Sequence, residues 1–207
     1  MVLLDYLFKK YFYFSYYGIM KNYELVLLLN PSVQDKDQKE FLASLEKEIQ
    51  NNIVEKDDIG LLTLAHDLWE KKWNNKFYFV SYYLKADTNI SQTINQFLLY
   101  NKVAYRYFVF SMDKTEVPLS MEKTQQELQK FIDEWVEKKK GNKMTFFTKP
   151  ENQKYISWKS LPMLKKYMTR FGDIKPRKYT WNAVSVQKSL RKIIIRAREM
   201  WLLEYVK

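Results

Sequence analysis

Hydrophobic positions along this chain change period several times, and each change marks an element. At 23–29 the run YELVLLL is apolar almost without interruption, the pattern of a buried strand, and Asn30-Pro31-Ser32 closes it as a turn and helix start. Phe41, Leu42, Leu45 and Ile49 then follow helical spacing, which predicts an amphipathic helix over 34–51. A strand within 53–68 crosses Asp57, Asp58 and Gly60, and a turn-like Asn74-Asn75 precedes an aromatic strand at 77–84 carried by Phe77, Phe79 and Tyr83. Ile90, Ile94, Phe97 and Leu98 space a second helix, and 103–112 is a last strand. The resulting order, β-α-β-β-α-β, is the split βαβ arrangement of ferredoxin-like domains.

Beyond it the period is helical. Leu128, Phe131, Ile132, Trp135 and Val136 form one stripe of a separate helix over 120–141, with Lys138 to Lys140 at its negative end and Gly141 as its stop, a docking connector rather than a floppy linker. The stretch KMTFFTKPENQ at 143–153 is irregular, and Leu161, Leu164, Met168 and Phe171 make a short helix ended near Gly172. Residues 174–178 are expected to be extended, because Pro176 disfavours helix in the residue before it. Asn182 is the expected cap of a last long helix running to about Leu203. On that helix Leu190, Ile193, Ile194, Ala197 and Trp201 share an apolar stripe, while Lys188, Arg191, Lys192, Arg196 and Arg198 spread over the other side with Ile195 in their midst. An ordinary solvated face would not hold that isoleucine, so the pattern is that of a contact surface.

The expected fold class is therefore α+β, in four parts: an aromatic extension at 1–19, a ferredoxin-like domain at 20–113, a connecting amphipathic helix at 114–142, and a small basic, mostly helical module at 143–207. The extension holds eight aromatics, but Asp5, Lys9 and Lys10 interrupt an apolar run already too short for a membrane span, and the same charges sit inside what would be the core of a secretory signal. Met20 is a natural start, which makes 1–19 an upstream-extended start or a lineage-specific appendage, with an added strand or surface-lying segment as the alternative.

Charge sharpens this division. The 207 residues carry a net +11, yet 1–113 hold 13 basic against 14 acidic residues and 114–140 hold six of each. Residues 141–207 hold 16 against 4, a balance of +12. The usual partner of such a polycation is a polyanion, nucleic acid or an anionic membrane surface, drawn in through counterion release. Five of the six arginines fall between 170 and 198, interleaved with Tyr179, Trp181 and Trp201. Arginine suits bidentate phosphate contact, and aromatics stack on unpaired bases. Trp201 lies on the buried stripe and is assigned to the core; Tyr179 and Trp181 stay open between packing and binding.

Catalysis finds little material. There is no cysteine, which removes disulfides and thiolate zinc sites, and His66 is the single histidine, in an apolar strand setting where a packed or surface imidazole is the expectation. Asp57 and Asp58 are adjacent, so on a strand they point to opposite faces and cannot share a proton or a metal; a turn or an exposed strand end is expected there. The four glycines make no phosphate-binding loop. No enzyme, cofactor or metal is expected.

Two stretches resemble known families. Residues 20–113, above all NYELVLLLNPS at 22–32 and IGLLTLAHDL at 59–68, resemble bacterial small-subunit ribosomal protein six, which has the same element order and a Gly-x-x-x-Leu-Ala-Tyr pattern in its second strand; His66 stands at the tyrosine. Residues 143–206 resemble small-subunit ribosomal protein eighteen: YISWKSLPMLKKYMTRFGDIKPRKYT is similar to that family's opening, short helix and turn, and Gln187, 193–198 (IIIRAR) and 202–206 (LLEYV) follow its closing patterns. Departures are Trp181 at a family glycine, Ser185-Val186 at a basic-histidine pair and Glu204 at a proline; Thr145 to Thr148 stand where some members carry Cys-x-x-Cys, so metal binding is not implied. The resemblance implies a covalently fused heterodimer that binds the central domain of 16S ribosomal RNA on the platform of the small subunit, cytoplasmic and ribosome-bound. Its partners would be 16S ribosomal RNA and neighbouring small-subunit proteins, with intramolecular contact between the modules and no membrane. Arg170, Lys175, Arg177, Lys178, Lys188, Arg191, Lys192, Arg196 and Arg198 are the expected RNA contacts. The competing reading is a free regulatory protein that uses the same basic helix on messenger RNA or operator DNA; an enzyme of RNA metabolism is the third.

Overall fold

The computed structural model describes residues 20–65, 75–113, 116–137 and 146–205. The aromatic extension, His66, Asn74, the helix end at Lys138 to Gly141 and the start of the irregular stretch lie outside these, as do the side chains of Trp135 and Val136.

Four strands, β1 (Lys21–Leu29), β2 (Ile53–Thr63), β3 (Lys76–Ala86) and β4 (Ala104–Ser111), form one antiparallel sheet in the order β2-β3-β1-β4. With α1 (Asp35–Ile49) between β1 and β2 and α2 (Ile90–Leu98) between β3 and β4, this is the ferredoxin-like topology that the periodicity predicts. Alternation divides the two central strands cleanly. Leu25, Leu27 and Leu29 of β1 join Val80, Tyr82 and Leu84 of β3 on the face covered by Phe41, Leu42, Leu45 and Ile49 of α1 and by Ile90, Ile94 and Leu98 of α2. Each fully buried leucine contributes about 1.5–3 kcal/mol relative to an exposed one.

Val26, Leu28, Phe77 and Phe79 point the other way, into a second core. Met121, Leu128 and Ile132 of α3 (Met121–Glu137) enter it, and so do Phe147, Trp158, Leu164, Tyr167, Leu190, Ile193 and Ile194 from the C-terminal helices and the turns that precede and join them. These are α4 (Leu161–Lys166), the one-turn α5 (Arg177–Thr180) and α6 (Val184–Glu199). The basic segment is thus packed on the sheet, not suspended from it.

A bulge in β2 makes that second face work. The register against β3 shifts between Asp58 and Gly60, and Gly60 takes φ 84°, a conformation a side chain would strain. The extra residue inverts the parity of the strand, so Asp57 and Ile59 before it share a face with Leu62 and Leu64 after it.

The C-terminal expectations need several corrections. Residues 174–178 are not extended throughout: Ile174 pairs with Met168 and Pro176 is extended, but Arg177 opens α5, because proline restricts the residue before it and leaves the one after free to turn. Asn182 does not cap α6; Ala183 holds that position without a side-chain bond, and the Asn182 side chain is buried among loop partners. Nor does α6 run to Leu203. It closes at Met200 in a Schellman turn, Leu202 N–H to Ala197 O at 2.9 Å and Trp201 N–H to Arg198 O at 2.8 Å, with Trp201 itself at φ 58°. The short helix stops at Lys166, which leaves Phe171 exposed, and Phe131 stands on the open side of α3.

A candidate nucleic-acid interface and the clamp beneath it

The periodicity of α6 buries Val186, Leu190, Ile193, Ile194 and Ala197 against the sheet. Its cations then part into two groups. Arg196 is 5% exposed: one guanidinium nitrogen donates to Glu116 Oε2 at 2.8 Å, the other to the Ser111 carbonyl at 2.5 Å, and the group lies over the Phe110 ring at 5.1 Å. Arg198 is 8% exposed and donates to the Glu204 carbonyl at 3.1 Å and to the Gly172 carbonyl. Both are expected to meet phosphate; instead each is largely buried and turns two of its donors into the protein. Helical spacing alone does not separate a cation on the rim of the buried stripe from one opposite it when the rim meets carbonyls and a carboxylate.

The remaining expected residues lie outward. Lys188 and Arg191 are exposed, and Ile195, 40% exposed, stands beside them. On one side of this ridge lies an open depression of about 510 Å³ that Arg177, Lys188, Arg191 and Ile195 help to line; on the other lies one of about 430 Å³ bounded by Phe110, Lys192 and Glu199. Lys192 is partly tied, at 2.8 Å from Asp113 and 3.6 Å from Glu116. Lys175 donates to the Lys166 carbonyl at 2.8 Å. Arg170 and Lys178 are exposed over Phe171 and Tyr179, at 4.7 and 4.9 Å from the ring centres, and border neither depression. Arg177, Lys188 and Arg191 are therefore the exposed cations of the expected set on one groove, whose lining also includes the buried Arg198.

Sequence reasoning missed a charged group beneath this surface. Lys159 is fully buried at the sheet, its Nζ 2.7 Å from Asp57 Oδ2, 2.8 Å from the Leu119 carbonyl and 3.9 Å from Glu24 Oε1, with the Tyr83 ring centre at 4.7 Å. Asp57 also accepts the Met121 N–H at 3.0 Å, so one carboxylate joins sheet, connecting helix and basic segment. Asp57 and Asp58 do part to opposite faces, but in mid-strand and not at an exposed end: Asp58 accepts from the Tyr78 hydroxyl. Burial pushes the Glu24 carboxyl above its ordinary range, against the pull of Lys159 and of hydrogen bonds such as that from Ser81. The signal was present: a glutamate within YELVLLL needs a buried partner.

Among the described residues no cluster of His, Asp or Glu has metal-site geometry. No described helix is long and apolar enough to cross a membrane.

Residues 152–203 match the family described as Ribosomal protein S18. Small ribosomal subunit protein bS18 of Mycoplasma capricolum is 44% identical over 68 residues, which cover 33% of this chain and 89% of that protein. The bS18 of Mesoplasma florum is 41% identical over 68 residues, 33% of this chain and 88% of its own. A solved structure of 30S ribosomal protein S6 from Thermotoga maritima covers 53% of this chain and 98% of its own at 18% identity and a TM-score of 0.41, a likeness too low to carry weight. The match to bS18 defines a protein of the small ribosomal subunit. Through its C-terminal segment the chain belongs to the ribosomal protein S18 family.

Proposed function

We propose that this chain is a structural component of the small-subunit platform in which a ferredoxin-like half, kin to ribosomal protein six, is fused to an S18 half, with 20–113 and 143–207 as the two modules and 114–142 as the tether. The topology of the sheet supports the first kinship, and the shared core supports their action as one body. Fusion makes their association intramolecular, at an effective concentration of roughly millimolar for a tether of suitable span. The chain works on the ribosome in the cytoplasm, beside neighbouring small-subunit proteins, and its role is scaffolding rather than turnover.

Its RNA contact is the central domain of 16S ribosomal RNA, met through Arg177, Lys188 and Arg191, with Arg170, Lys175, Lys178 and Lys192 around them. The observation that carries this is the sorting of cations on α6: with Arg196 and Arg198 committed inward, Lys188 and Arg191 still flank an exposed isoleucine on an open groove. Ile195 answers a sugar face or a neighbouring protein, where a solvated helix has no use for it. The sheet offers no rival site. Four-stranded sheets of this topology can stack bases on an open face, but here both faces are covered.

Reversal of Lys188 and Arg191 to Glu tests the proposal by incorporation into small subunits. Incorporation should fall by at least tenfold, roughly the loss of two phosphate contacts and the addition of two repulsions. Wild-type incorporation by the folded variant overturns the assignment.

A further inference from the structure

One acidic side chain stands in the cationic groove. Residues 141–207 hold four carboxylates against 16 basic residues, and one of the four, Asp173, lines the depression of about 510 Å³ beside Arg177, Lys188 and Arg191. It is exposed, and among the described residues its carboxylate forms no ion pair and accepts no hydrogen bond. A carboxylate in this place repels the phosphates that its neighbours attract, and so weakens the hold on a polyanion unless the ligand brings it a donor. The fold does not use the side chain, in contrast to Asp57 and Glu116, which meet buried cations.

The turn that carries Asp173 is fixed from several sides. Its N–H donates to Thr169 Oγ1 at 3.1 Å, and its carbonyl accepts the Thr169 N–H at 2.7 Å. Gly172 before it takes φ 90°, a conformation that suits glycine, and the Gly172 carbonyl accepts from the Arg198 guanidinium. Ile174 after it bridges to Met168. The carboxylate therefore hangs from a set backbone position, and Val184 and Ile195, 54% and 40% exposed, supply apolar surface in the same groove.

An unpaired RNA nucleotide has the parts that such a groove answers: a phosphate for the cations, a sugar or base face for Val184 and Ile195, and a base edge for the carboxylate. Guanine alone among the four bases sets two N–H donors, N1–H and N2–H, side by side on its Watson–Crick edge, the match for the two oxygens of a carboxylate. We propose that this groove takes an unpaired guanosine of RNA, with Asp173 accepting from N1–H and N2–H and with Arg177, Lys188 and Arg191 on the adjoining phosphates. The proposal rests on the RNA-binding role above and adds base selectivity to it. A guanine paired with cytosine has both donors engaged, so the same carboxylate refuses a duplex.

The test uses the full chain and a hairpin RNA with a loop of uridines in which one position is guanosine, inosine, adenosine or uridine, beside the fully paired duplex of the stem. Fluorescence anisotropy at several salt concentrations reads the affinities. Wild type should bind the guanosine loop about tenfold more tightly than the inosine loop, which lacks only the 2-amino group. Asp173→Ala should bind the guanosine loop about tenfold more weakly, yet hold the uridine loop and the duplex as well as wild type or up to about threefold more tightly, because a repelling charge is gone. Asp173→Asn, which keeps the size and one acceptor, should bring the guanosine and inosine loops within about twofold of each other. Both variants should melt at the wild-type temperature. Equal wild-type affinity for the guanosine and inosine loops overturns the proposal, as does a guanosine preference that survives in Asp173→Ala. Lower melting temperatures with equal losses on every RNA make the carboxylate structural and overturn it too. Unchanged RNA affinities with reduced incorporation into small subunits overturn it in favour of a cationic protein partner. If the wild-type chain binds none of these RNAs at low salt, the basic-surface role fails as well; binding without preference removes only the guanosine site.

Discussion

The two faces of the sheet are covered by different kinds of surface. Under α1 and α2 the contact is apolar, and the one buried polar side chain from those helices, Gln38, ties the turn before α1 through the Asn30 and Val33 carbonyls. Under the C-terminal helices an apolar centre is crossed by charge: Lys159 with Asp57 and Glu24, and Arg196 with Glu116. The first is the interior of a domain. The second has the composition of an interface between partners, where charged groups that water would otherwise solvate are matched on docking and set the register. In the bS18 relatives of Mycoplasma capricolum and Mesoplasma florum, 88–89% of the length aligns with the C-terminal segment alone.

The comparison breaks most sharply at Lys159. Lys159→Ala leaves Asp57 and Glu24 facing each other without a cation and should cost about 3–5 kcal/mol in denaturant unfolding. The triple change Lys159→Met, Asp57→Asn, Glu24→Gln should recover most of that loss, because a buried pair contributes little over a well-packed neutral replacement. Should Lys159→Ala unfold like wild type, the charged face would be no different in kind from the apolar one.

Arg196 and Arg191 then sharpen it along one helix. Arg196→Ala strips Glu116 and the Ser111 carbonyl of their donor and should cost about 1–3 kcal/mol of stability. Arg191→Ala should stay within about 0.5 kcal/mol of wild type and instead lower the salt slope of RNA binding by about one. Calorimetric melts beside RNA titrations at several salt concentrations separate the two effects; an exchange of roles between the arginines would reverse the sorting of the surface.

The smallest effect is one of pH. Glu24 binds its proton more tightly in the folded chain than in the unfolded one, where its value is near 4.5. Stability therefore falls as pH rises from 4.5 through the raised folded value, and above that the cost of the ionised carboxyl is fully present. Glu24→Gln should remove this component, so that its advantage over wild type in thermal melts grows across that window and then stays level. A constant difference at all pH values would mean that Glu24 does not titrate in this way.

Much of the fold was legible because period and parity are local. YELVLLL, the aromatic strand and the spacing of Ile90, Ile94 and Leu98 each announced an element whose burial then followed. The candidate site was legible as a region and not as a list. Clustered arginines located the basic helices, but Arg191 and Arg196 are alike in sequence and opposite in exposure, and α5 arose after a proline that restrains the residue before it. Lys159 in YISWKS looked like one more surface cation, since its partners lie 102 and 135 positions away.

Elements, their order along the chain and the excess of positive charge in the last third are properties of the chain read in order, because hydrophobic alternation and net charge need no knowledge of neighbours in space. Which cations face solvent, which carboxylate a buried lysine meets, and that a tryptophan stands at a left-handed turn were decided only by packing. Those outcomes depend on the contact of two surfaces, and a bulge of one residue at Gly60 is enough to set which side of a strand meets them.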